Sequence, residues 1–179
     1  MRCALTPHPD TPSAAGLTNA VEVGRPQPAR LTLRYILTGD LADLRLPPPA
    51  PPTRTDELWQ HTCFEAMIQA PPARGYRELN LAPSTQWAAY RFDAYRQGMA
   101  PAEISAPQIT LTITPHRMDL HAVITLDLPP AALWRLGLSA VIEETSGRLS
   151  YWALAHPPGR PDFHHADCFT LQLADTDAS

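Results

Sequence analysis

Residues 62–69 read TCFEAMIQ. Taken as an extended segment, Thr62, Phe64, Ala66 and Ile68 point one way, while Cys63, Glu65, Met67 and Gln69 point the other. A few residues on, YRELNLA (76–82) repeats the pattern. Arg77, Leu79 and Leu81 share one face; Tyr76, Glu78 and Asn80 share the opposite one. After a Pro83-Ser84 turn, QWAAYRFDAYR (86–96) is aromatic on both faces and Gly98 closes it. Two alternating segments and an aromatic third, joined by turn residues, predict neighbouring antiparallel strands.

Outward from there the texture holds. Strand character begins at Val21 and continues in LTLRYILTG (31–39), which lies between Pro28 and Gly39. Gln108 to Leu128 reads as a hairpin with Pro115-His116-Arg117 at its turn. LSAVIEE (138–144), SYWALA (150–155) and CFTLQL (168–173) add further strands. PPAALWRLG (129–137), with Pro at its start and Gly at its end, predicts one short helix. PPPAPP (47–52) predicts a stiff connector. Residues 1–18 predict a flexible arm, 19–174 a single domain, and 175–179 a short tail. Nine or ten strands without a βαβ rhythm predict an all-β fold. The expected form is a two-sheet antiparallel β-sandwich, jelly-roll or immunoglobulin-like, with one short helix.

Composition narrows the function. The chain has 179 residues, 44% hydrophobic and 18% charged, with net charge -4. A surface tracking nucleic-acid phosphates should be basic, so no nucleic-acid partner is expected. All 14 basic residues are arginine, which excludes lysine Schiff-base chemistry and a P-loop. Cys3, Cys63 and Cys168 form no CxxC, and their odd number and wide spacing argue against a disulfide framework. No secretory signal or membrane-length apolar run is read, and the expected location is cytoplasmic, away from any membrane.

Several chemistries can be written onto these residues. GxSxG, GxGxxG, Walker A, HExxH and EF-hand motifs are missing. Cys63 reads as a buried strand thiol rather than a nucleophile. HPPGRPDFHH (156–165) could offer His156, His164, His165 and Asp162 to a metal, but its blander reading has Phe163 anchoring the loop and the histidines bonding to backbone. Met67 with a histidine could ligate haem. Glu65 and Glu78, on adjacent strands, could form a glycosidase pair. More often, two strand carboxylates on one face accept hydrogen bonds from Arg, Trp or a sugar hydroxyl, and with Asn80 they could form a polar binding face. The aromatic faces of Trp59, Trp87, Tyr90, Tyr95 and Trp152 could meet the C–H face of a sugar ring.

Three blocks in order carry a resemblance. LWQHTCFEAMIQ (58–69), YRELNLAPSTQWAAYRFDAYRQGM (76–99) and LSYWALAHPPGRPDFHHADCFTLQL (149–173) together resemble the bacterial DOMON-like proteins, which are related to family 9 carbohydrate-binding modules. The matching features are Trp59, Cys63-Phe64-Glu65, Tyr76-Arg77-Glu78-Leu79-Asn80, Pro83-Ser84, Trp87 and Asp162-Phe163-His164. The resemblance implies a two-sheet antiparallel sandwich with its ligand site on the concave face of one sheet. It implies Glu65, Glu78, Asn80 and Trp87 near the pocket, with Trp59, Trp152, His156 and His164 around its edge.

The expected function is therefore non-catalytic binding of a small polar ligand, a carbohydrate, with no cofactor or metal. The alternatives are an enzyme using Glu65 or Glu78 as acid/base, a haem- or metal-binding protein, and a structural domain without a ligand.

Overall fold

The structure is a computed structural model and describes residues 1–13, 16–128 and 133–174. In it the chain forms twelve strands: β1 (Arg2–Pro7), β2 (Thr18–Gln27), β3 (Arg30–Thr38), β4 (Cys63–Gln69), β5 (Tyr76–Leu81), β6 (Trp87–Phe92), β7 (Ala100–Pro101), β8 (Gln108–Thr114), β9 (Arg117–Thr125), β10 (Leu133–Glu143), β11 (Leu149–Ala153) and β12 (Leu171–Ala174). All of their pairings are antiparallel. One sheet runs β7-β6-β5-β4-β10-β11, with β12 also against β10; the other runs β2-β3-β9-β8. β1 pairs with β11 at one end and β2 at the other, joining the two sheets along one side of a β-sandwich.

The core lies between the sheets. Leu31, Leu33, Tyr35 and Leu37 of β3 face Phe64, Ala66 and Ile68 of β4, Leu79 and Leu81 of β5, and Leu136, Leu138 and Ala140 of β10. The Tyr35 ring packs on Phe64 at 4.8 Å, and its hydroxyl donates to the backbone carbonyl of Glu65 at 2.6 Å, tying the sheets together at the middle of β4.

The two outer faces differ. On the β2-β3-β9-β8 sheet, Glu22, Arg34, Asp119 and Arg117 form an ion-pair ladder suited to water. The outer face of the other sheet carries Met67, Tyr76, Tyr90, Phe92 and Val141, buried with Phe163 and Phe169 under the 154–169 segment. The candidate site lies on this second, covered face.

Two expectations are corrected. The 1–18 arm contains β1, because the edges of both sheets accept it: the Met1 amino group donates to the Val23 carbonyl and the His8 N–H to that of Tyr151, while Leu5 enters the core. The expected helix is strand from Leu133 to Gly137, its first part (129–132) lying outside the described residues. Trp134 and Leu136 alternate into the core, and partners on both edges of β10 satisfy the backbone, overriding the Pro-to-Gly cue. Gly137 instead permits close approach: a Cβ there would stand 3.1 Å from the Cys168 carbonyl oxygen. The expected tail at 175–179 lies outside the described residues. The only helical pieces among them are the 3-10 turns Leu58–Gln60 and Ala166–Cys168.

Candidate functional site

The β4–β5 register places Glu65 opposite Asn80 and Met67 opposite Glu78, and the β5–β6 register continues the row with Glu78 opposite Tyr90. Directly paired side chains stand about 5 Å apart at Cβ. Two acids and an amide thus cluster on one sheet face. Above the acids opens a cavity of about 780 Å³. Glu65, Glu78 and Val141 form its floor. Tyr90, Phe92, Tyr151 and Phe163 supply aromatic wall, and Asp56, Glu57, Trp59 and Arg96 stand around its mouth.

The floor is nearly dry. Glu65 is 3% exposed, and its carboxylate takes no hydrogen bond or ion pair among the described residues. Burial, and then the neighbouring Glu78 charge, raise its pKa well above the ordinary carboxylate range. Glu78, 6% exposed, is also raised by burial, but two groups oppose the rise. The Asn80 amide donates to its Oε1 at 2.8 Å, and the Arg96 guanidinium favours its anion. Of the two, Glu78 is the carboxyl better held as an anion.

A loop clasp closes one side. After β6 the chain turns tightly at 93–98, with Arg96 in the left-handed region (φ 52°) and Gly98 at φ 65°. A Cβ at Gly98 would collide with the Asp93 carboxylate, so the turn requires glycine. Asp162, from the 154–168 loop, accepts from the Tyr95 hydroxyl at 2.5 Å, the Arg96 guanidinium at 2.8 Å and the His164 N–H at 3.1 Å. Phe163 and His164 are thereby pressed onto the sheet. His164 Nδ1 lies 2.7 Å from the Tyr76 hydroxyl and its Nε2 lies 3.8 Å from Glu78. Burial, and then Arg96, lower its pKa to about 4, so the imidazole is neutral at neutral pH. Cys168 Sγ, near the carbonyls of Asp162 and Ala155, holds the far end of the loop.

The residues singled out from sequence divide. Glu65, Glu78, Trp59 and His164 line the cavity. Asn80 is fully buried behind the floor and reaches it only through Glu78. Trp87 belongs to the opposite face: it packs in the core with the Arg54 guanidinium 4.7 Å from its ring centroid. Trp152 also points into the core, its indole N–H donating to Ser150 Oγ. His156 sits away from the cavity beside His8, with Nε2 2.8 Å from the Thr6 carbonyl.

The other chemistries can be placed too. The HPPGRPDFHH histidines are separated, His165 capping the Ala166–Cys168 turn by accepting from the Asp167 N–H. No three His, Cys, Asp or Glu side chains gather to hold a metal ion among the described residues. Met67 is buried within the aromatic cluster. The Cys63 thiol is sealed in the sheet, and burial followed by Glu65 pushes its pKa up, the reverse of an activated nucleophile. All three cysteines are free thiols. Sequence reasoning missed Asp56, Glu57, Arg96, Tyr151 and the Asp162 clasp.

No protein-family profile matches the chain, and no curated protein emerges as a relative. Solved structures do match. A “putative carbohydrate-binding protein” from Bacteroides uniformis ATCC 8492 superposes with a TM-score of 0.70 at 13% identity, over 97% of this chain and 85% of that one. A family 9 carbohydrate-binding module from Caldicellulosiruptor kristjanssonii, in complex with glucose, gives 0.55 at 10% identity, over 90% and 78%. The module from the same organism in complex with cellotriose gives 0.52 at 10%, over 82% and 70%. At these identities the shared property is the fold: this chain is a β-sandwich similar to that of family 9 carbohydrate-binding modules.

Proposed function

We propose that the protein binds a small carbohydrate, without transforming it, in the cavity over β4, β5 and β6, and that it does so in the cytoplasm. The observation carrying this reading is the adjacency of Glu65 and Glu78 on the floor of an aromatic-walled cavity. Carboxyl groups bond vicinal hydroxyls in plane, and aromatic faces take the C–H face of a sugar ring. The volume, about 780 Å³, suits a ligand of one to a few rings.

Backbone strain supports the location. Three non-glycine residues among those described have left-handed φ, and two of them, Glu57 and Arg96, line this cavity. Such conformations cost about 1–3 kcal/mol each and cluster at binding sites. The likeness to sugar-binding modules supports the ligand class. The sealed Cys63 thiol favours binding over thiol chemistry, and the free cysteines accord with a reducing compartment.

The test is intrinsic fluorescence during titration with a panel of mono- and disaccharides. Trp59, 50% exposed at the mouth, is the reporter; Trp87, Trp134 and Trp152 are buried. A saturable shift that disappears in Trp59→Phe, with calorimetry showing whether that variant still binds, is the expected result. Saturable heat with no sugar in the panel, for either protein, would defeat the proposal.

A further inference from the structure

We infer that the ligand of this cavity carries a protonated amine, and that its class is the unacetylated amino sugar. The inference rests on the carbohydrate reading above and narrows it. Four carboxyl-bearing residues line the cavity: Asp56, Glu57, Glu65 and Glu78. Arg96 is the lining cation, and its guanidinium is already paired with Asp162 at 2.8 Å.

The Glu65 carboxylate gives an independent indication. It is 97% buried on the cavity floor and has no donor among the described residues, although the Asn80 amide stands opposite it in the ladder. That amide goes to Glu78 instead. A buried carboxyl group without a protein partner is costly, and it can ionise there only when a cation or strong donors meet it. The unmet demand points up into the cavity, toward a ligand.

Donor and acceptor supply agrees. A neutral sugar hydroxyl both gives and accepts hydrogen bonds, so its oxygens need protein donors. The lining is rich in acceptors, and two of its donors, the Arg96 guanidinium and the Tyr90 hydroxyl, are engaged with Asp162 and Asp56. An ammonium group has three donors and no acceptor, which matches this lining. Tyr90, Tyr151, Phe92 and Phe163 add ring faces that attract a cation. Asp56 and Glu57, exposed at the mouth, set a negative potential along the entry route.

Binding would also move a proton. Burial and Glu78 favour the neutral form of Glu65 in the free protein. An arriving ammonium favours the carboxylate, so the Glu65 proton leaves to solvent as the ion pair forms.

The experiment is calorimetry at about pH 6, where a sugar amine is protonated. Three ligands are compared: the β-1,4-linked glucosamine disaccharide, its di-N-acetylated form and cellobiose. The unacetylated disaccharide is expected to bind at least about tenfold more tightly than either neutral sugar. Its affinity should fall with added salt, and its heat should change with the ionisation enthalpy of the buffer, reporting proton release. Glu65→Gln should close the gap between the three ligands while keeping the cooperative melt of the parent. If Glu65→Gln fails to fold, Glu78→Gln and Asp56→Asn read the same gap. Equal or tighter binding of either neutral sugar overturns the inference and leaves the carbohydrate reading standing. Binding of none of the three overturns both.

Discussion

Asn80 stands directly opposite Glu65 across the β4–β5 ladder, yet it donates its amide to Glu78, two residues away on its own strand, at 2.8 Å. The side chains of residues i and i+2 on a strand share a face, so the bond costs the backbone nothing and makes two chemically similar acids unequal. Glu78 is solvated by the protein; Glu65 is open only to the cavity.

Asn80→Ala should therefore act through Glu78. Asn80 is fully buried, and its removal leaves the Oε1 of Glu78 without a donor. Loss of a hydrogen bond to a buried charged partner costs about 1–3 kcal/mol. Urea denaturation should show that loss, smaller at acid pH, where a protonated Glu78 no longer needs the amide as an anion does. A loss of the same size at pH 5 and pH 8 would count against this account.

Glu65→Gln should stabilise the fold, increasingly so as pH rises. The Glu65 pKa is raised in the folded protein, by burial first and Glu78 second. The folded state therefore holds the proton over a range where the unfolded chain has released it. The stability this provides is complete below the unfolded carboxyl pKa and is lost as pH rises through the folded one, at up to about 1.4 kcal/mol per pH unit. Glutamine has no such slope, so urea midpoints of parent and variant should diverge from pH 5 to pH 8 in the variant's favour.

How far the sequence carried this site depended on parity. Strand alternation alone brings Glu65, Glu78 and Asn80 to one face, because a residue on a β-strand has two choices and its neighbours decide between them. The same rule was available for Trp87 and Trp152. Trp87 shares parity with Ala89 and pairs with Leu81, whereas Tyr90 shares it with Phe92 and pairs with Glu78. Trp87 and Tyr90 thus cannot face one cavity. Composition hid this, because the sheet is covered on both sides and its strands are apolar on both. The helix expected over 129–137 failed at Leu133–Gly137 through the same ambiguity: LWRL alternates, but Pro and Gly frame it like a helix. The clasp was illegible for another reason. Arg96 and Asp162 lie 66 residues apart, and nothing local to either segment announces the other.

Tyr35→Phe should weaken the sandwich without emptying its core. The ring stays against Phe64, and only the hydroxyl donating to the Glu65 carbonyl is lost. This bond is wholly buried, so the expected cost is about 1–2 kcal/mol in chemical denaturation. Because the carbonyl belongs to the residue whose side chain forms the cavity floor, sugar affinity should also fall in this variant.

Arg96→Ala should separate local from global stability. The Arg96–Asp162 pair is half exposed on the arginine side, so its contribution to global stability is about 0–1 kcal/mol. Locally, Asp162 also accepts from Tyr95 and from the His164 N–H, and the three bonds together hold the 154–168 loop on the sheet. Hydrogen exchange should therefore quicken in the loop and in the 93–98 turn while the melting temperature barely moves. Uniform acceleration over both sheets would instead make the clasp a global element.

His164 gives the opposite pH signature to Glu65. Burial, and then Arg96, lower its pKa to about 4 from about 6.5. The unfolded chain takes up the imidazole proton as pH falls below about 6.5, and the folded chain does so only near 4. Stability present above pH 6.5 is lost between these values, again at up to about 1.4 kcal/mol per pH unit. His164→Gln keeps a polar group near the Tyr76 hydroxyl but cannot titrate. Its urea midpoint should rise as pH falls from 6.5 toward 4, while that of the parent, in which Glu65 and His164 oppose each other, stays more nearly level. Since Glu65 favours the folded state as pH falls and His164 opposes it, the parent should be most stable between the two limits, with His164→Gln shifting that optimum toward acid and Glu65→Gln toward alkali.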